Sequence, residues 1–337
     1  MTKEEYRDFI YKTESLVKPV DVTAISFLGD FNKYLPKKTQ DKMMRKGSSK
    51  VPYMAFIVDP YCFFLSYEIT DTAAAQAMLS NDYELAETSL FETDEKKPLV
   101  IFSAFTARTS AFMGMRLECY IIARHKKSGL ISWIIADYET NTNSHDPKNR
   151  FCGYTCDPAV YTITPYGELL INVQNTAGHK MFQIGAEIKH TETQSLDEEL
   201  WVEGNMSVDY GGILKTDDTV PFSLIFDPIL MKEAERVPLQ NITIMKNTFF
   251  NELIDPMTPL SSAFFPYSQH YIIKQDLKET EITRKEDLLA QLQSFMKKSE
   301  FKTMKGDDIK KPLFRGMLIS SIVTYGIILF LLIMLLL

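Results

Sequence analysis

The side chains best suited to chemistry in this chain gather in one polar stretch, Ser144-His-Asp-Pro-Lys-Asn-Arg150, with Cys152 and Cys156 just beyond. A lysine amine attacks a carbonyl only when it is neutral, so a nucleophilic lysine needs an apolar pocket or a cation beside it. Lys148 is the lysine of this stretch, and Arg150, two positions on, is a cation close to it in sequence. The competing reading makes Lys148 an ordinary solvated loop lysine. His145, Cys152 and Cys156 offer imidazole and thiolate ligands, but no second ligand pair follows the C-x₃-C spacing, and structural zinc takes four ligands. Two reduced, non-ligating cysteines and no metal are expected. The chain lacks GxxxxGK, GxGxxG, GxSxG and HExxH, so nucleotide cradles, a nucleophile elbow and zincin chemistry have no sequence support.

These residues must be positioned by strands. From Val51 onward, short runs rich in β-branched and aromatic residues alternate with turn signals. The runs are 54–58, 63–69, 99–105, 117–122, 130–135, 160–164, 169–173 and 181–188, with 200–208, 223–226 and 271–274 read as further strands. Regular spacing of this kind predicts a closed antiparallel barrel or a sandwich. Helices are few. Asp71 or Thr72 caps an alanine-rich helix that stops near Asn81-Asp82. A second opens at Thr283, with Glu286 completing a capping box, and Leu288, Leu292 and Phe295 form an apolar stripe expected to pack back on the domain.

Around the polar stretch the chain resembles the acetoacetate decarboxylase family. That family carries a strand, a Ser-x-x-Pro-Lys-Lys loop with its Schiff-base lysine, then Gly-Tyr-Pro. Here Ser144-His-Asp-Pro147-Lys148-Asn149 occupies the loop and Gly153-Tyr154 follows. Upstream, Phe64-Leu-Ser-Tyr-Glu-Ile-Thr-Asp71 looks like the family's Tyr-Arg-Thr-Asp strand and helix. Lys97 to Phe102 and Thr109 to Glu118 look like the next strand and its glutamate-bearing end. The likeness runs from about Met54 to Asp276. It implies a mainly β (α+β) domain, an antiparallel β-barrel or cone with few peripheral helices, and Schiff-base decarboxylation of a β-keto acid. By the same resemblance Lys148 would be the nucleophile, Glu118 the general acid or base if burial raises its pKa, and Arg150 the cation that depresses the amine or holds a carboxylate. No metal or organic cofactor would be needed, because the imine supplies the electron sink. Departures are clear. The family's Gly-Arg-Glu falls at Thr140-Asn141-Thr142, its strand arginine at Glu68, one acidic pocket residue near Ser103, and its second lysine at Asn149. They favour a rival reading, a non-catalytic binding module for an apolar or lipid-derived small molecule. A scaffold that engages partners through residues 283–304 is a third.

Composition sets the address. Met317 to Leu337 carry no charge, and a helix of that length spans roughly 30 Å, the thickness of a bilayer's hydrocarbon. Lys297, Lys298, Lys302, Lys305, Lys310, Lys311 and Arg315 precede it, against Glu300, Asp307 and Asp308. Positive flanks stay cytoplasmic, and the charged N-terminus lacks the apolar core of a signal peptide. The expectation is a single-pass C-terminal tail anchor with the globular domain facing the cytoplasm. A net charge of −7 gives nucleic-acid binding no electrostatic support. Four cysteines suit a reducing compartment. The organisation read from composition is a polar lead-in (1–50), one β domain (51–280), an amphipathic helix with a basic linker (281–316) and the anchor (317–337).

Overall fold

In the computed structural model, the described residues are 1–18, 22, 34–40, 42, 52–109, 113–142, 144–146, 150–152, 154–210, 221–274, 282–297 and 306–336. The centre is a sheet built on two long strands, β5 (Lys97–Thr109) and β6 (Met113–His125), flanked by β2 (Cys62–Glu68) and β7 (Ile131–Thr140). All three neighbouring pairs are antiparallel. Beyond β2 lie β17 (Ser261–Phe265), β15 (Glu233–Arg236) and β13 (Glu192–Ser195). β1 (Tyr53–Val58) also pairs with the far end of β5, and carries β18 (Gln269–Lys274) on its other edge. The short β3 (Tyr83–Leu85) and β4 (Glu87–Thr88) pair with β6 and β5. A separate four-stranded sheet runs β10 (Cys156–Ile163), β11 (Glu168–Asn175), β12 (Met181–Glu187), β16 (Ile242–Asn247).

Strand alternation puts opposite side chains of one strand into different cores. One face of the central sheet contributes Ile101, Phe105, Tyr120, Ile122 and Trp133 to core one, with Trp201, Phe226 and Phe265. The other contributes Val100, Phe102, Leu117, Cys119 and Ile121 to core two, closed by Ile171, Val173, Phe182 and Ile184 of the second sheet.

The barrel is not closed, which corrects the expected architecture. The main sheet ends at one side in β13 and at the other in β14 (Val208–Asp209), a two-residue strand that pairs parallel to β7. Closure needs two free edges to meet with matching tilt and register. Here the long strands instead carry a second sheet on one face and helical segments on the other, and the sheet is mixed. The expected strand 200–208 is helical over most of its length, with a π-turn at Glu199–Glu203 and a 3₁₀ turn at Gly204–Met206. The Trp133 indole donates to the Leu200 carbonyl at 2.9 Å and lies so close to Gly204 that any Cβ there would fall 2.3 Å from its Nε1. Residues 223–226 contribute only a bridge, Ile225 opposite Ile272.

Besides a helical stretch at 37–40, four longer α-helices are traced among the described residues. α1 (Lys3–Leu16) opens on a Thr2/Glu5 capping box and buries Phe9, so part of the polar lead-in is an ordered helix. Its polar sequence hides a single inward face. α2 (Thr72–Met78) is capped by Asp71, whose Oδ1 accepts from the Ala74 amide at 2.9 Å. α3 (Lys285–Lys297) buries Leu288, Leu292 and Phe295 in core one. α4 (Gly306–Leu336) starts well before the uncharged run and holds Pro312 in its second turn. Its stretch Lys311–Leu336 is long and apolar enough to cross a membrane.

Candidate functional site

Glu118 sits in the middle of β6 and points into core one. Strand alternation places Arg116 and Tyr120, two residues to either side, on the same face. Arg116 Nε donates to Glu118 Oε1 at 2.5 Å, and the Tyr120 hydroxyl donates to Glu118 Oε2. Both carboxylate oxygens are therefore engaged, and all three residues are buried. The Arg116 guanidinium lies 4.6 Å from the centre of the Tyr138 ring. Burial works against that charge, but Glu118, Tyr210 and Tyr138 outweigh it, leaving Arg116 more firmly protonated than a free arginine. Burial, then Glu118, pushes the Tyr120 phenol far up, so it stays a hydrogen-bond donor.

Two more groups complete this polar face. Ser103 lies directly across from Glu118 in the β5–β6 register. Its Oγ is 3.9 Å from Cys62 Sγ, and burial holds the Cys62 thiol protonated. Tyr120 and Trp133 meet edge to face at 4.9 Å, and Phe64 packs edge-on against Trp201 at 4.8 Å. The face thus presents a fixed guanidinium, a phenol, a hydroxyl and a thiol against aromatic walls.

A β-bulge arranges the neighbouring charges. The β6–β7 register shifts between Cys119 and Tyr120, so Cys119 opposes Asp137 while Tyr120 opposes Ile135. The extra residue reverses the phase of β7. Tyr138 consequently turns over Arg116, and Asp137 and Glu139 turn to the core-two side. There Lys180 Nζ meets Asp137 Oδ2 at 2.5 Å and lies 3.9 Å from Glu139 Oε1. Burial raises the Glu139 pKa, partly offset by Thr155.

The remaining sequence candidates divide sharply. Lys148 lies outside the described residues, as do Pro147 and Asn149. Arg150 opens β9 (Arg150–Cys152), opposite Asp146 of β8 (Ser144–Asp146). On either side of this stretch in the sequence, the Thr140 amide donates to Thr155 Oγ1 at 2.7 Å. At the positions of departure, Glu68 is taken by Lys97 at 2.9 Å on the rim of β2, and Ser103 is fully internal. Cys62, Cys119 and Cys156 are all buried. Among the described residues no three His, Cys, Asp or Glu side chains converge as metal ligands. Arg116 and Tyr120 were not singled out by the sequence analysis. The signal that would have found them is the period-two spacing Arg116-x-Glu118-x-Tyr120 inside a strand pattern.

No protein-family profile matches the chain, and no curated protein does. Among solved structures it is similar to acetoacetate decarboxylase from Legionella pneumophila, at 13% identity over 66% of this chain and 84% of that one, with a TM-score of 0.39. An acetoacetate decarboxylase-like enzyme from Sphingomonas wittichii aligns at 10% identity over 66% and 91%, with a TM-score of 0.34. The enduracididine biosynthesis enzyme MppR, in complex with the condensation product of pyruvate and imidazole 4-carboxaldehyde, aligns at 8% identity over 66% and 87%, with a TM-score of 0.37. Agreement at this level is a likeness of fold, and the chemistry of this chain rests on its own residues.

Proposed function

We propose that this chain is a membrane-tethered, acetoacetate-decarboxylase-like protein that acts on a β-keto acid through an imine on Lys148. The observation that supports this most is the buried Arg116–Glu118–Tyr120 network. An apolar core has no need of an ion pair, and apolar residues of equal volume would stabilise it as well. In this reading the neutral Lys148 amine attacks the ketone, water leaves, and the protonated imine accepts the electron pair of the C–C bond as CO₂ departs. The resulting enamine is protonated at carbon, and hydrolysis frees the lysine. Glu118, with the Tyr120 phenol on it, assists proton transfer, and Arg150 depresses the lysine or holds the carboxylate. α4 is the tail anchor, with the domain on the cytoplasmic side. Borohydride reduction in the presence of acetoacetate tests the proposal. Wild type should gain a reduced adduct on Lys148 that Lys148→Ala abolishes, and a wild type without any adduct ends the enzymatic reading.

One observation favours a second reading, a binding module for an apolar or lipid-derived molecule. The polar face is walled by Phe64, Phe105, Trp133 and Trp201, all in core one, and both oxygens of Glu118 are already occupied. Native mass spectrometry of detergent-solubilised full chain should then release a co-purified ligand, unchanged in Lys148→Ala.

A further inference from the structure

Core one is closed partly by segments from outside the 54–276 region that resembles the decarboxylases. From the N-terminus, α1 inserts Phe9, 2% exposed. From the far end of the domain, α3 inserts Leu288, Leu292 and Phe295 into the same cluster as Phe105, Tyr120 and Tyr271. The two helices are latched to each other, with Lys12 Nζ donating to the Phe295 carbonyl at 3.2 Å. The Phe295 ring meets Tyr53 of β1 edge to face at 5.0 Å. Three residues further along β1, Phe56 meets Phe105 and Tyr271, with ring centres 6.1 Å apart in each case, and Phe105 is the cross-strand partner of Arg116. β1 thus offers one ring to the helix pair and another beside the polar face. Tyr271 joins them from the other side: burial raises its phenol, and Cys62, Tyr267 and Tyr6 of α1 each push it further.

The attachment of the pair differs from that of the strands. α1 and α3 add no strand to either sheet, so they can leave without breaking a ladder hydrogen bond. Side-chain packing, the Lys12–Phe295 contact and a partly exposed Lys285–Glu198 ion pair hold them, and elements so held open at lower free energy than core strands. We propose that α1 and α3 form a detachable cap over the polar face of core one, and that its release is the route by which a ligand reaches Arg116 and Glu118. The proposal rests on reading that face as the ligand face. It does not depend on the lysine chemistry.

Two buried cysteines can separate cap release from unfolding. Cys62, 1% exposed, lies in core one beside Ser103, and Cys119, fully buried, lies in core two on the other side of the sheet. The test is pulsed maleimide labelling of the full chain in lipid nanodiscs, with Cys152→Ser in every variant and each site read by mass spectrometry. Phe295→Ala combined with Lys12→Ala should speed Cys62 labelling by at least about tenfold and leave Cys119 at the wild-type rate. Lys12→Ala alone removes one hydrogen bond without opening a cavity, and should give a smaller rise at Cys62 only. Equal acceleration at both cysteines, or Cys62 as slow as wild type in both variants, overturns the cap. Imine trapping plays no part in this readout, so the cap and the decarboxylase reading can fail separately.

Discussion

The two faces of the β2–β5–β6–β7 sheet are equally dry and filled by different chemistry. On the core-two side β5 and β6 contribute Val100, Phe102, Ala104, Leu117, Cys119 and Ile121, and Phe102 stacks on Phe182 at 5.1 Å. On the core-one side the same two strands place Ser103, Arg116 and Glu118 among the aromatics. Apolar filling asks only for shape and volume, whereas a buried ion must have every charge matched or the fold loses several kcal/mol. Core two does have charges, Asp137 and the buried Glu139, but their partner Lys180 is partly exposed. Among the described residues the ion pair with both partners buried, Arg116–Glu118, lies on the core-one face.

The largest expected effect breaks the ion pair from one side. Arg116→Ala leaves Glu118 buried without its counter-charge and should cost about 3–5 kcal/mol in urea denaturation. Replacing both partners with apolar residues, Arg116→Met with Glu118→Leu, should restore most of that. A double variant as unstable as the single one would mean that the polar face is structural, and the contrast between the cores would lose its meaning.

A smaller effect comes from a third buried spot, where His270 lies opposite Ile57, outside both large cores. Burial, then Arg108, lowers its pKa to about 4, so between that value and the ordinary one near 6.5 the unfolded chain binds more protons than the folded one. Stability from this residue is fully present above about 6.5 and is lost as pH falls towards 4, by up to ~3 kcal/mol. Asp227 and Glu139, whose carboxyls burial raises, give the opposite slope, because their folded forms hold the extra proton. The measurement is therefore a difference: His270→Leu should show a shallower loss of stability than wild type between pH 6.5 and 4. Identical slopes would refute the assignment.

The smallest effect is local to core two. Asp71→Ala removes the cap of α2, which lays Ala75 on that core. A loss of about 1 kcal/mol is expected, with no change in the labelling rate of Cys62. A change there would show that the two cores do not respond independently.

Much of this arrangement is legible from neighbouring residues. The expected runs 54–58, 63–69 and 117–122 fall within β1, β2 and β6 or overrun them by one residue, because period-two burial is a local signal. The Ala-rich helix and its Asp71 cap were equally local. The run 200–208 misled for a definable reason. Its apolar residues look like a strand's, but the Trp133 indole reaches the Leu200 carbonyl and the chain coils around it, a contact made across the fold. α1 was missed because one buried Phe9 among charged residues gives almost no periodic signal. Glu118 is named by the family resemblance and its partners are not, since Arg116 and Tyr120 matter only through the face they share with it.

The amino-acid order alone determined the strand-rich character, the helix caps and an uncharged run of membrane-spanning length in the last helix, each of which follows from interactions within a few residues. Tertiary structure decided the rest. It left the sheet open where a closed barrel was expected, because edges pair only if distant strands meet in register. One inserted residue in β7 then sent Tyr138 to Arg116 and Asp137 and Glu139 to the opposite side, since side chains in a strand change face with every step.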